Sequence, residues 1–209
     1  MKDYEETKKD YENGFEWHRE KSYSYIWKNQ IGKFVKYLDG KKILDAGCGG
    51  GRDVPEFMER GFDVDGIDYS TKAIKYDKEK YPEANFYEGD IRKMEFPDKS
   101  YDGVWACASI ANLDKEDAHI ALAEFRRILK DNGILFVSIK LGEGERKVPD
   151  QAGERFYSFY SPEEIEEFIE DSGFNVDLIT IVTDFDLTGE LSTPPKPGWV
   201  CLYAIKSGK

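Results

Sequence analysis

Ile43-Leu44-Asp45-Ala46-Gly47-Cys48-Gly49-Gly50-Gly51-Arg52-Asp53 is the stretch that decides the fold. The short apolar run Lys42 to Ala46 reads as a strand, and the glycine cluster behind it reads as a tight turn into a helix. Asp53 is placed to cap that helix, with Pro55 tolerated in its first turn and Phe57 and Met58 on its buried side. Outward from this unit the same alternation continues. A strand from Phe62 to Ile67 leads through Ser70, a cap candidate, into a helix from Thr71 to Lys80. Strands follow at Asn85 to Glu88 and Tyr101 to Cys107, then a helix from Lys115 to Lys130, whose expected stripe is Ile120, Leu122, Ala123, Ile128 and Leu129. Asn132 and Gly133 are expected to stop that helix before an almost wholly apolar strand from Ile134 to Lys140.

Strands alternating with helices imply an α/β fold whose parallel sheet is covered on both faces. After a polar stretch from Gly142 to Arg155, Ser161-Pro162-Glu163-Glu164 forms a capping box, and its helix ends at Gly173. The last two strands, Val176 to Asp184 and Trp199 to Ile205, flank a loop rich in Pro and Gly from Thr188 to Gly198, so they are expected to pair antiparallel. Residues 1–40 precede the first strand as an aromatic cap in the same domain as 41–209, helical from Ser22 to Leu38 with Ile26, Ile31, Phe34, Val35 and Leu38 on one face.

The chain has 209 residues, the size of one enzyme domain, with 30 Lys and Arg against 42 Asp and Glu, a formal charge of −12. That balance argues against nucleic acid as a partner, since phosphate needs clustered cations. An apolar fraction of 40% and an aromatic fraction of 14% are enough for a packed core. No apolar run approaches the roughly 20 residues of a membrane span, and Met1 to Asp10 lacks an apolar signal core, so a cytoplasmic protein is expected. Cys48, Cys107 and Cys201 suggest neither a disulfide framework nor a zinc site, and no metal is implied.

In an open α/β sheet, ligands bind beyond the carboxyl ends of the strands, so polar residues there are informative. The glycine loop lets backbone amides approach a ligand closely. Asp68 stands 21 residues beyond Gly47, the distance at which a carboxylate accepts ribose hydroxyls. Asp90, in Gly89-Asp90-Ile91, can accept from an exocyclic amine of a base, and the fourth strand ends in Ala106-Cys107-Ala108-Ser109. A glycine loop alone is as often a simple turn as a ligand site; the ordered set is a stronger signal. A pyrophosphate cofactor is disfavoured, because Asp45 immediately precedes the loop and no Gly-Lys-Ser/Thr motif follows. A ligand with ribose, adenine, ammonium and sulfonium but no phosphate would welcome Asp45, Asp68 and Asp90. S-adenosylmethionine is such a ligand.

Residues 43–51 resemble the first motif of the class I S-adenosylmethionine-dependent methyltransferases, acid-x-Gly-x-Gly-x-Gly. Gly66-Ile67-Asp68-Tyr69-Ser70 is similar to their second-strand motif and Glu88-Gly89-Asp90-Ile91 to the motif that reads adenine. Tyr101-Asp102-Gly103-Val104-Trp105 and Leu129-Lys130-Asp131-Asn132-Gly133 resemble later strand motifs, the second departing from the usual Lys-Pro-Gly-Gly at Asp131 and Asn132. The match runs from Lys41 to Ile205 and is closest to the small-molecule type, methyltransferase-domain families 11 and 25. It implies a Rossmann-like, doubly wound, seven-stranded, mostly parallel sheet of order 3-2-1-4-5-7-6 with the last strand antiparallel.

By family position, Gly47, Cys48 and Gly49 would pass the methionine moiety and Asp45 would act near its ammonium. Asp68 would hold the ribose beside Tyr69, Asp90 and Ile91 would read adenine, and Ala106 and Cys107 would offer backbone. Ser109 and Asn112 are acceptor-pocket candidates. The implied reaction is in-line methyl transfer to a small molecule, leaving S-adenosylhomocysteine, with placement and water exclusion in place of a protein nucleophile. His18 is the candidate base, against the plainer reading of a solvent-facing histidine; His119 reads as surface or helix packing. Tyr11, Trp17, Tyr23, Tyr25 and Trp27 either line a pocket or cover the sheet. Gly142-Glu143-Gly144-Glu145 reads as a mobile acidic loop, either linker or lid. Two other functions stay open: a non-catalytic S-adenosylmethionine-binding module, and an NAD-dependent oxidoreductase, which the glycine spacing fits less well.

Overall fold

The computed structural model describes residues 2–23, 27–150, 153–189 and 198–208. In chain order the elements are α1 (Lys2–Asn13), α2 (Phe15–Tyr23), α3 (Lys28–Phe34), β1 (Lys42–Ala46), α4 (Val54–Glu59), β2 (Asp63–Asp68), α5 (Thr71–Lys80), β3 (Asn85–Glu88) and β4 (Tyr101–Cys107). A 3-10 turn (Ile110–Asn112) follows, then α6 (Lys115–Ile128), β5 (Leu129–Leu141), β6 (Glu145–Asp150), β7 (Gly153–Tyr160), α7 (Pro162–Asp171), β8 (Phe174–Val182), α8 (Asp184–Thr188) and β9 (Trp199–Lys206).

Strands β3, β2, β1, β4 and β5 lie side by side and parallel. β9 runs antiparallel between β5 and β8. Counting β8 and β9 as sixth and seventh gives the expected order with the last strand reversed. Side chains alternate between the two faces, as the period of a strand requires. Leu44, Val104, Ala106, Leu135 and Val137 face one apolar cluster with α6 and α7. Ile43, Trp105, Ile134 and Phe136 face the other, with Ile31 and Phe34 of α3 and Phe57 of α4. Trp105 stacks on Phe136 at 3.8 Å between ring centroids.

Local chemistry places the helix starts. Ser70 accepts from the Ala73 amide, Asp114 from Asp117 and Ser161 from Glu164, each filling a donor at a helix N-terminus. Asp53 does not cap α4; its carboxylate instead accepts from Arg52 and from Trp105 Nε1.

Five further expectations are corrected. The single helix across 22–38 is two, α2 and α3, and Ile26 and Tyr25 lie outside the described residues. On α6 the buried stripe is Ala118, Ala121, Leu122, Phe125 and Ile128, whereas Ile120 and Ala123 are exposed. That helix ends at Ile128 because Leu129 already pairs with Tyr101 of β4, and Asn132, at φ 60°, supplies a left-handed residue inside β5. The stretch 142–155 is not a loop. Most of it folds into the hairpin β6–β7, whose far strand joins the end of β5 through Lys140–Phe159 and Leu141–Tyr160. The final strands also shift: β8 starts at Phe174, directly after Gly173, and residues 190–197 of the expected loop lie outside the described set.

Candidate functional site

The turn after β1 is a close-packed backbone junction. The Gly47 and Cys48 amides both donate to Ile67 O, at 2.8 and 3.0 Å, tying the glycine loop to the end of β2. Gly47 has φ +79°, and a Cβ there would lie 2.4 Å from Ser109 Cβ; Gly49 has φ +54°, and a Cβ there would lie 2.7 Å from Tyr11 Oη. Both positions therefore demand glycine by backbone conformation and by space. Asp68 completes the junction: one carboxylate oxygen accepts from the Gly49 amide at 2.9 Å, the other from the Ser70 amide at 2.8 Å. Burial pushes the Asp68 carboxyl up to about 6, although these two amide bonds pull it down.

Above this junction lies a cavity of about 530 Å³. Gly47, Cys48, Gly49, Asp68, Tyr69 and Ile91 line one half. Cys107, Ser109 and Asn112 line the other, beyond the end of β4, with His18 entering from α2. Three of the expected residues stand apart from the wall. Asp45 is buried beneath the loop. Ala106 is fully buried with its side chain in the core cluster. The Asp90 carboxylate is gripped by the Arg92 guanidinium, which also reaches Asp117, and so is turned to an ion pair.

Beneath the loop the buried charges are dense. Burial and then Asp53 raise the Asp45 carboxyl well above the usual carboxylate range, while Arg52 counteracts them. Arg52 pairs with Asp53 and donates to the Cys107 thiol at 3.0 Å. Burial pushes that thiol up to about 12, so it is a neutral wall group. Asp77 of α5 is fully buried, accepts from the Cys48 thiol, and is pushed up to about 8, first by burial and next by Asp68.

His18 is buried and stacks on Tyr11 at 5.0 Å, which corrects the solvent-facing alternative. Of the five aromatic cap residues, Tyr11 and Trp27 line the cavity; Tyr23 donates to Gly50 O, Trp17 packs edge-on to His18, and Tyr25 lies outside the described residues. His119 is exposed and packs edge-on to Phe168.

The main residues missed in the sequence are on the hairpin and the strand ends beside it. Arg146, Val148, Arg155, Tyr157 and Phe159 line the cavity, together with Lys140 and Trp199. The signal was there as period-2 spacing, 146 and 148 on one strand and 155, 157 and 159 on the next. An arginine on each strand, Arg146 and Arg155, disguised it as a polar stretch.

Residues 44–137 match the family described as "Methyltransferase domain". The demethylmenaquinone methyltransferase of Renibacterium salmoninarum is 30% identical over 112 residues, covering 54% of this chain and 46% of that protein. The 2-methyl-6-phytyl-1,4-hydroquinone methyltransferase of Synechocystis is 29% identical over 173 residues, covering 77% of this chain and 52% of that protein. The chain thus spans about half the length of these curated relatives. The crystal structure of 1,6-didemethyltoxoflavin-N1-methyltransferase from Burkholderia thailandensis, with bound 1,6-didemethyltoxoflavin and S-adenosylhomocysteine, aligns with a TM-score of 0.78. It is 17% identical, and the alignment covers 96% of this chain and 87% of that one. Sheet order, motif placement and the domain match agree: residues 44–137 carry the match to a methyltransferase domain, and the chain has the fold of solved S-adenosylmethionine-dependent methyltransferases.

Proposed function

We propose that the chain binds S-adenosylmethionine and transfers its methyl group to a small molecule, releasing S-adenosylhomocysteine. The observation that carries this reading is the glycine loop. Its left-handed Gly47 and Gly49 and the buried Asp68 meet at the floor of a cavity large enough for a small ligand. When bound, the cofactor supplies an electrophilic methyl on a sulfonium, transferred by in-line displacement.

The residues fit such a group. Gly47, Cys48 and Gly49 would flank its methionine part, Asp68 would accept from its ribose, and Tyr69 and Ile91 would flank its adenine. Asp45 would act through the field beneath the loop, not by contact. Asp90 and Ala106 do not line the cavity, so neither is assigned a contact. The absence of a side chain at Gly47 and Gly49 lets a ligand approach the loop backbone closely. Ser109 and Asn112 would meet the acceptor. Ser109 Oγ is buried with no hydrogen-bond partner, as a hydroxyl awaiting a ligand atom would be. Asn112 is fixed by donating to Phe156 O at 2.8 Å. His18 stands on the cap side of the same cavity as the candidate base.

We take residues 1–40 as part of the same folding unit, since Trp27, Ile31 and Phe34 share one apolar cluster with Phe57 and Trp105. Among the described residues no helix is long and apolar enough to cross a membrane. A cytoplasmic setting, a small-molecule partner and no nucleic-acid partner fit that and the charge of −12.

The test uses S-adenosylmethionine with a deuterated methyl and a metabolite extract as the acceptor pool. Labelled product and S-adenosylhomocysteine should form together, and His18→Ala should slow both while leaving cofactor affinity intact. Cofactor binding with no transfer above the enzyme-free rate would contradict the proposal and favour a binding module.

A further inference from the structure

The N-terminal cap carries a side chain into the half of the cavity that holds the glycine loop. On one side of α1, Lys72 Nζ at the start of α5 donates to Glu12 O at 2.7 Å. On the other, a Cβ at Gly153 of the hairpin would lie 3.2 Å from Asp10 Oδ2. Tyr11 stands between these two contacts and lines the cavity.

Helix geometry fixes where that side chain goes. The Gly14 amide donates to Asp10 O and the His18 amide to Gly14 O, both at 2.9 Å, so the helical path runs on from α1 into α2. Tyr11 and His18, seven residues apart, therefore share a face. Their rings stack with centroids 5.0 Å apart and planes 3° from parallel. Tyr69 meets the Tyr11 ring edge-on at 6.0 Å. Held by two aromatic neighbours, the ring leaves its hydroxyl little choice of place.

That place is directly over the glycine loop. Tyr11 Oη lies 2.7 Å from where a Cβ of Gly49 would stand, so glycine at 49 makes room for this oxygen as well as for the turn. Burial first and the Asp68 charge next push the Tyr11 hydroxyl well above its ordinary range, so it stays a neutral phenol. It makes no hydrogen bond among the described residues, and unlike Tyr160 Oη it is not sealed off from the cavity.

The proposed methionine part of the methyl donor and the Tyr11 oxygen thus share the space above Gly49. The amino-acid end of that donor carries an ammonium, which donates, and a carboxylate, which accepts. A phenol can serve either one, and being neutral it repels neither.

We propose that Tyr11 is a cofactor-binding residue, its hydroxyl hydrogen-bonding the amino-acid end of S-adenosylmethionine above Gly49. This rests on the methyl-transfer reading of the cavity, and it extends the donor site from the rim of the sheet to the N-terminal cap.

The experiment is calorimetry on the full chain and on its Tyr11→Phe variant, which loses one oxygen and keeps the ring in its stack. One ligand is S-adenosylhomocysteine. The other is 5′-methylthioadenosine, which keeps the adenosine and the thioether but lacks the amino-acid end. S-adenosylhomocysteine should bind the variant about tenfold more weakly, the scale of one hydrogen bond to a charged group. 5′-methylthioadenosine, measured by its displacement of S-adenosylhomocysteine, should bind the two proteins equally, and their ligand-free melting midpoints should agree. Unchanged affinity of the variant for S-adenosylhomocysteine, an equal loss for both ligands, or a loss accompanied by a lower ligand-free midpoint would overturn the proposal. Failure of the unaltered protein to bind S-adenosylhomocysteine would instead overturn the methyltransferase reading beneath it.

Discussion

Asp68 holds the geometry of the site at a single residue. Its carboxylate already orders two backbone amides, Gly49 and Ser70, and keeps lone pairs for a ligand hydroxyl. Asp68→Ala should weaken cofactor binding by about 1–3 kcal/mol, measured by calorimetry. With the carboxyl raised to about 6, it is ionised above that pH and protonated below. Affinity for a hydroxyl donor should therefore fall as pH drops through 6, and Asp68→Asn should flatten the profile. Asp77 gives a complementary test of stability. Its carboxyl is raised to about 8 in the fold from 3.8, so the folded state holds a proton that the unfolded chain releases between those values. The stability it contributes is complete below 3.8 and is lost as pH rises through 8. Asp77→Asn should remove on the order of 1–3 kcal/mol of pH dependence between pH 5 and 8. An unaltered slope in denaturant titrations would mean that Asp77 titrates normally. At this scale the sequence made Gly47, Gly49 and Asp68 legible, because local spacing alone brings them together. The placement of the Asp90 carboxylate was not legible, because Arg92, two residues on, and Asp117, from a distant helix, decide where it goes.

Elements were legible where one periodicity governed them. β1, β3, β4 and α5 stand where the alternation and the Ser70 cap put them. The hairpin β6–β7 was hidden because the face that walls the cavity is mostly half-exposed and carries Arg146 and Arg155, so it lacks the apolar alternation of a core strand. On α6 the apolar residues exceed the buried stripe, and only packing reveals that Ile120 faces out. The β1–α4 turn makes the sharpest prediction for an element. Gly47→Ala imposes a left-handed non-glycine residue, costing about 1–2 kcal/mol, and drives its methyl onto Ser109 Cβ. Thermal denaturation should show a lower midpoint and calorimetry a weaker cofactor. Pairing it with Ser109→Gly should recover part of both, because the steric share of the loss is removed. No recovery would place the whole effect in the backbone.

For the whole molecule, the sheet separates two apolar clusters and leaves its carboxyl rim open between the cap and the hairpin. The strand order followed from the resemblance of the strand motifs to a known family, and the sheet has that order. The cap's place over the rim did not, because Tyr11, His18 and Trp27 reach the cavity only through tertiary packing. What unites residue, element and molecule is the proposed fit of this rim to an adenosyl cation without phosphate. Calorimetric titration of the purified chain with S-adenosylhomocysteine and, in parallel, with NAD measures that directly. One equivalent of S-adenosylhomocysteine should bind and NAD should give no heat; saturable NAD binding without S-adenosylhomocysteine binding would contradict the proposed site.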